Sequence, residues 1–231
     1  MKFLIKDSNK IDLHIHTNYS DGKEYPLNIL RNAKVLGLEY ICFADHNADC
    51  ARFDFDKEQL ESVYKIKIIP GCEISAMVND KKVHILAYNY NNFFIKMFLP
   101  KIRKASEEKN YLSLKKICSI IRFCGGKAIL AHPFKYKYDG KELVEEILKE
   151  KCIDGIECIH SHHTQDEIDY LLDICERKKL LVTAGSDFHY KGKKIREDYE
   201  QKELHVLPVS NSTIEDQLVR AKQKYNINKK R

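Results

Sequence analysis

No two of the eight cysteines stand at C-x-x-C spacing, and without that pattern a structural zinc site has no ligand set to use. Cys42, Cys50, Cys72, Cys118, Cys124, Cys152, Cys158 and Cys175 are scattered, mostly inside apolar runs, which reads as buried free thiols. Long hydrophobic runs are also missing. The first ten residues, MKFLIKDSNK, hold an apolar run of three before Lys6, too short for a signal-peptide core or a membrane span. Mean hydropathy is negative, so the expectation is a soluble, cytoplasmic chain with no membrane partner. Internal repeats, low-complexity linkers and breaks in composition are absent too, which predicts a single domain over residues 1–231.

The chain has 231 residues, 43% hydrophobic and 32% charged, an ordinary globular composition with enough length for a sizeable core. The formal charge of +6 owes much to residues 191–196 (KGKKIR) and 220–231 (RAKQKYNINKKR). Such clusters attract phosphorylated substrates or nucleic acid by Coulomb steering, although a lysine-rich tail is more often simply solvated.

Short apolar, β-branched runs alternate with helical patterns. Strands are predicted at 11–15, 40–44, 66–69, 83–88, 128–131, 155–159 and 180–183, and helices at 26–36, 57–64, 95–123, 141–150 and 166–178. This βα rhythm predicts parallel strands with helices outside, in a barrel or an open doubly wound sheet. Residues 91–125 are expected to form a helical segment partly capping the site. Residues 190–231 are expected to form a basic loop and tail, with a terminal helix at 211–222.

Most of the ten histidines fall at the ends of predicted strands, where an α/β barrel carries its chemistry. In Asp12-Leu13-His14-Ile15-His16, the period of two puts Asp12, His14 and His16 on one face, and two imidazoles on one face form a metal chelate. Asp12 itself reads as structural support. Asp21 follows on a Ser-Asp-Gly turn, Asp45-His46 ends the second strand, and Glu73 follows the third. His84 opens the next strand, His132 ends another within Ala-His-Pro, His163 lies in Ser-His-His-Thr, and Gly185-Ser186-Asp187-Phe188-His189 closes the series. Each element alone is weak: H-x-H can line a polar strand face, and a single Glu is commonly a cap. Five or six strand ends each bearing an imidazole or carboxylate would be costly to desolvate without a metal.

The ordered series His14-x-His16, Asp21, Asp45-His46, Glu73, His84, Ala131-His132-Pro133, Ser161-His162-His163-Thr164 and Gly185-Ser186-Asp187-Phe188-His189 resembles the PHP (polymerase and histidinol phosphatase) family over about residues 11–189. It is most similar to the stand-alone phosphoesterases of that family, a group with nucleotide phosphatase and RNase members. The resemblance implies a single-domain α/β fold, a distorted (β/α)7 barrel. It also implies two or three divalent ions of manganese, iron or zinc, held by His14, His16, Asp21, His46, Glu73, His84, His132, His163, Asp187 and His189. Ten exceeds the family's usual nine, and His162 competes with His163. Glu73 fits a bridging carboxylate. A mixed imidazole and carboxylate set suits these metals better than magnesium or calcium.

Asp187 is expected at the centre of catalysis, with Asp45 and His163, or His132, as proton relays. Lys135 stands where close relatives often carry arginine in H-P-x-R-Y, and is expected to contact a substrate phosphate as a point charge. Tyr190 directly follows His189 where glycine is frequent, and the short stretch between His84 and His132 predicts a smaller cap and a more open site. Three functions compete: hydrolysis of a small-molecule phosphomonoester such as a nucleotide, trimming of nucleic acid ends as a phosphodiesterase or exonuclease, and a non-catalytic regulatory module. The complete ligand set ranks the last below the others.

Overall fold

The computed structural model describes residues 2–3, 10–48, 57–190 and 207–208. The basic clusters at 191–196 and 220–231, the helix expected over 211–222, and Cys50 lie outside the described residues. In chain order come β1 (Lys2–Phe3), β2 (Lys10–Ile15), α1 (Pro26–Val35), β3 (Tyr40–Phe43), α2 (Lys57–Tyr64), β4 (Lys67–Ile68), β5 (Gly71–Val78) and β6 (Lys81–Tyr88). Then follow α3 (Asn92–Glu107), α4 (Leu114–Phe123), β7 (Lys127–Leu130), α5 (Gly140–Lys149), β8 (Gly155–His160), α6 (Gln165–Lys178), β9 (Leu181–Gly185) and β10 (Leu207–Pro208).

The helices start where the sequence supplies caps. Pro26 opens α1 with φ already set. Asn91, Ser113 and Asp139 accept hydrogen bonds from the first backbone amides of α3, α4 and α5, and Thr164 with Glu167 forms a capping box on α6. The predicted 95–123 stretch is thus two helices. Leu114, Ile117, Cys118, Ile120 and Ile121 of α4 are buried, so this helix packs into the core, while Arg103 and Ser106 of α3 hydrogen-bond Asn47, next to His46.

The strands form two sheets, ordered β1-β9-β8-β7-β6-β5 and β10-β2-β3-β4. They are not closed into one continuous barrel, and pairing is not uniformly parallel: β5–β6, β6–β7 and β10–β2 are antiparallel. Residues 71–75, expected to end the third strand, begin a separate strand in the other sheet. A two-residue turn makes this possible, because Asn79 and Asp80 both take positive φ (41° and 63°), the backbone that a tight hairpin of matching twist requires. His84 consequently sits inside β6 and not at its opening.

Two seams join the sheets. At one, an isolated bridge pairs Ile15 with Phe188, and the His16 amide donates to the Phe188 carbonyl at 2.8 Å. At the other, His46 bridges Glu73, and the Asn47 amide donates to the Glu73 carbonyl at 2.8 Å. The larger core, with Ile74, Ile85, Leu130 and Ile156, lies under the six-stranded sheet, and a smaller one, with Ile29, Ile41 and Phe43, under the four-stranded sheet. The histidines and carboxylates gather along the seams between them.

Candidate metal centre

Glu73 on β5 is the hub, with its side chain only 1% exposed. Its Oε1 lies 2.9 Å from both His84 Nδ1 and His132 Nε2, and its Oε2 lies 3.1, 3.2 and 3.4 Å from His46 Nδ1, His16 Nε2 and His14 Nε2. Asp187, from the other seam, places Oδ1 3.3 Å from His16 Nε2 and 3.6 Å from both His14 Nε2 and His189 Nδ1. Lys135 Nζ donates to its second oxygen. Asp21, on the loop after β2, completes an outer group: Oδ1 is 3.4 Å from His16 Nδ1, and Oδ2 is 3.2 and 3.5 Å from the Nε2 atoms of His189 and His46.

Nine of the ten expected ligands therefore converge. Three sets bring potential ligand atoms within 4.8 Å of one another: His14, His16 and Glu73; His46, Glu73 and His84; and His16, Asp21, His46 and His189. His16, His46 and Glu73 each belong to two sets, as residues between neighbouring ions would.

The hydrogen-bond roles test whether a cation belongs here. His14 Nδ1 lies 3.0 Å from Glu157 Oε1; a carboxylate only accepts, so Nδ1 carries the hydrogen. In the neutral ring, Nε2 then aims a lone pair at Glu73, at Asp187 and at His16 Nε2 3.1 Å away. His189 repeats the pattern, since its Nδ1 donates to the Asp187 carbonyl at 2.9 Å and leaves Nε2 facing Asp21. Lone pairs directed at carboxylates repel unless positive charge lies between them, and the remote nitrogen held by an acceptor is the usual setting of a metal-binding histidine. The donor set fits divalent transition metals.

The titration behaviour has the same origin. Burial pushes the His14 and His16 imidazoles down, but Glu157, Glu73 and Asp187 outweigh it, lifting His16 to about 9 and His14 well above its ordinary value. Burial would raise Glu73 and Asp187, yet the surrounding imidazoles hold both well below the carboxylate range. Where burial wins, imidazoles fall, His84 to about 4 and His160 to about 3. The centre is built to surround positive charge with fixed anions.

Two expected site residues stand apart from the cluster. His163 has no ion pair with the cluster's carboxylates; its Nδ1 donates to the Cys158 carbonyl at 2.9 Å and its ring lies 5.2 Å from that of His160, which stands nearer the site. The Asp45 carboxylate is tied into the turn after β2. Its Oδ1 accepts from the Thr17 amide at 2.8 Å and Ser20 Oγ at 2.6 Å, and its Oδ2 from Thr17 Oγ1 at 2.8 Å, so it fixes the turn carrying Asp21.

Glu157 and His160 went unnoticed in the sequence. Glu157 is fully buried, and its Oε2 accepts from the His132 amide at 2.9 Å while Oε1 holds His14. His160 Nε2 lies 3.8 Å from Asp187 Oδ2. A register shift in β8 between Glu157 and Ile159 turns both toward the centre, although simple alternation puts them on opposite faces. A glutamate inside an apolar strand was the available signal. Asp12 supports the site as expected: its Oδ1 accepts from the amides of His14 and Ser186, and its Oδ2 from Ser186 Oγ at 2.5 Å. Burial raises its carboxyl to about 6. Gly185 lets these layers meet, since a Cβ there would lie 2.2 Å from His14 Cβ and 2.5 Å from Glu157 Oε1. His132, Asp187 and Asn47 hold positive φ (27°, 55° and 50°), strained backbone of the kind that clusters at functional sites.

Comparison with known proteins gives a consistent result. The sequence profile of the PHP domain matches residues 12–203. A 5'-3' exoribonuclease of Haemophilus influenzae is 24% identical, over 79% of this chain and 91% of its own length. An uncharacterized protein of Methanocaldococcus jannaschii is 30% identical, over 67% of this chain and 83% of its own. A Bifidobacterium adolescentis protein proposed to be a metal-dependent phosphoesterase has a similar crystal structure, with a TM-score of 0.67 and 22% identity over 91% of this chain and 96% of that one.

Proposed function

Because the chain belongs to the PHP family and is a metal-dependent phosphoesterase, a hydrolase, we propose that the bond it cleaves is a phosphate ester of a nucleotide or similar small molecule. The observation that carries this reading is Glu73, buried among five imidazoles, with the His14 tautomer already set by Glu157. We take His14, His16, Asp21, His46, Glu73, His84, His132, Asp187 and His189 as the residues that hold two or three ions of manganese, iron or zinc. We also read the two sheets as an opened form of a distorted (β/α)7 barrel, with the Ile15–Phe188 and His46–Glu73 bridges spanning its seams.

Bound divalent ions supply Lewis acidity and lower the pKa of water, which provides a nucleophile at neutral pH. The chain's own residues do the positioning. Glu157 and Asp12 fix His14, and burial of the inner cluster excludes bulk water. In this reading Asp187 is the carboxylate that takes a proton from the attacking water. Lys135, bound to Asp187, reaches a phosphate oxygen as a point charge.

A second reading, 5'-3' trimming of nucleic acid, is favoured by the name of the Haemophilus influenzae relative and by the basic clusters at 191–196 and 220–231. Elemental mass spectrometry on chelator-free protein, with hydrolysis of an aryl phosphate monoester and diester after manganese addition, tests the proposal. Two or three ions per chain and phosphate release support it; no metal overturns the reading of the histidines. Cleavage of 5'-phosphorylated oligoribonucleotides that declines steeply with salt, alongside poor monoester turnover, would select the second reading.

A further inference from the structure

The helix pair α3 and α4 concentrates positive charge. Residues 91–127 hold seven lysines and two arginines against Glu107 and Glu108, a formal +7 where the whole chain carries +6. No acid occurs in α3 before Glu107, and none occurs in α4. Where α3 begins and α4 ends, four apolar side chains stand in water. Phe93, Met97 and Phe123 are 72, 64 and 66% exposed, and Phe94 is 40% exposed. The core does not need them, because Ile95, Leu99 and Ile102 of α3 already pack inward.

These side chains form one surface. Ring centroids lie 5.6 Å apart for Phe93 and Phe94, 5.9 Å for Phe94 and Phe123, and 5.8 Å for the half-buried Phe98 and Phe123, while Met97 stands one turn beyond Phe93. Scattered exposed apolar residues are ordinary, but a contiguous group with a polar rim marks an interaction site. The rim here is cationic: Lys96 and Lys101 on α3 and Lys127 just after α4 are exposed.

The chemistry discriminates among occupants. A second copy would press one +7 helix pair against another. Stacking of nucleic-acid bases uses open ring faces, whereas these rings meet at 74°, 68° and 82° and turn edges onto each other's faces. Protruding phenylalanine and methionine rimmed by lysine suits the boundary between headgroups and acyl chains, where lysine stems lie along apolar surface and their ammonium groups meet anionic headgroups. The metal centre adjoins the other end of α3, since Arg103 and Ser106 hydrogen-bond Asn47 about 15 Å along the helix from Phe93. Among the described residues no helix is long and apolar enough to cross a membrane, and a surface-bound helix pair needs none. The lack of hydrophobic runs behind the expectation of no membrane partner bears on spanning segments alone.

We propose that α3 and α4 form a peripheral docking surface for an anionic lipid bilayer, with Phe93, Phe94, Met97 and Phe123 at the acyl boundary and the lysines on the headgroups. The assignment is independent of which phosphate ester the centre cleaves.

Flotation of the full-length chain with vesicles of phosphatidylcholine, or of an equimolar mixture of phosphatidylcholine and phosphatidylglycerol, tests it. Wild type is expected to bind the mixed vesicles and to bind phosphatidylcholine alone at least about tenfold more weakly. The double variant Phe93→Ser with Met97→Ser is expected to lower partitioning onto mixed vesicles at least about tenfold, and Lys101→Gln about fivefold, with Tm and the circular dichroism spectrum unchanged. The basic stretches at 191–196 and 220–231 remain in these variants, so any pull of theirs is held constant. No binding by wild type, or binding by the double variant within about twofold of wild type, overturns the docking surface. A wild-type dimer that the double variant converts to monomer, or oligoribonucleotide binding that needs Phe93 and Met97 without vesicle binding, overturns it in favour of a second copy or of nucleic acid.

Discussion

The centre has an inner and an outer part that share His16, His46 and Glu73 yet differ in setting. Inside, the side chains of Glu73 and Asp187 are each 1% exposed and His14 is fully buried. Outside, Asp21 is 53% exposed, with His46 and His189 at 27% and 23%. The inner ligands are held by buried partners, Glu157 on His14 and Asp12 on the Ser186 segment, whereas Asp21 rides on a surface turn braced by Asp45. Rigid, desolvated ligands bind an ion tightly because little reorganisation remains, and ligands in contact with water exchange more readily. On the metal-centre reading, the same donor types would yield a held position and an exchangeable one.

The sharpest way to break this contrast is to strike its inner half. Asp187→Asn or Glu73→Gln is expected to lower phosphoester hydrolysis by at least about a thousandfold and to reduce metal content, with the circular dichroism spectrum unchanged. Retained turnover in both variants would remove the metal centre from the chemistry. Glu157 holds His14 from behind, and Glu157→Gln frees the His14 tautomer. A loss of about 10- to 100-fold in metal affinity is expected, measured by competition with a chromogenic chelator.

On the outer side, Asp21→Asn is expected to release one ion per chain and leave the inner complement in place, with activity down about tenfold or more. Loss of all metal from this variant would show that inner and outer positions are not separable. The smallest effect belongs to Asp45→Asn. Since the Asp45 carboxylate holds the Thr17–Ser20 turn, turnover should change by less than tenfold while the protein is destabilised by about 2 kcal/mol, seen as a lower Tm. A collapse in activity without a stability change would restore Asp45 to the chemistry.

Much of this centre was legible because its motifs are local. His14-x-His16 alternates along β2, Asp21 turns back within five residues, and Gly185-Ser186-Asp187-Phe188-His189 keeps carboxylate and imidazole close in sequence. The hairpin of β5 and β6 was not legible, since its turn uses Asn-Asp at positive φ without the glycine that usually announces it. Lys135 was read as a phosphate contact, and its partner here, Asp187, lies 52 positions away. That His160 stands nearer the site than His163 was also closed to sequence. A bulge resets the alternation of β8, and only a neighbouring strand defines a bulge.

The sequence alone determined the inventory: which imidazoles and carboxylates exist, that they follow apolar runs, and that no cysteine pattern competes for metal. Tertiary structure alone decided which of them meet. The two sheets touch at seams that bring His46 to Glu73 and Phe188 to Ile15, and a partner 143 positions away sets the proton on His14. The reason is physical. Alternation and capping act within a few residues along one strand or helix, whereas a lone pair is aimed, and a carboxylate desolvated, only by groups that packing brings in from elsewhere in the chain.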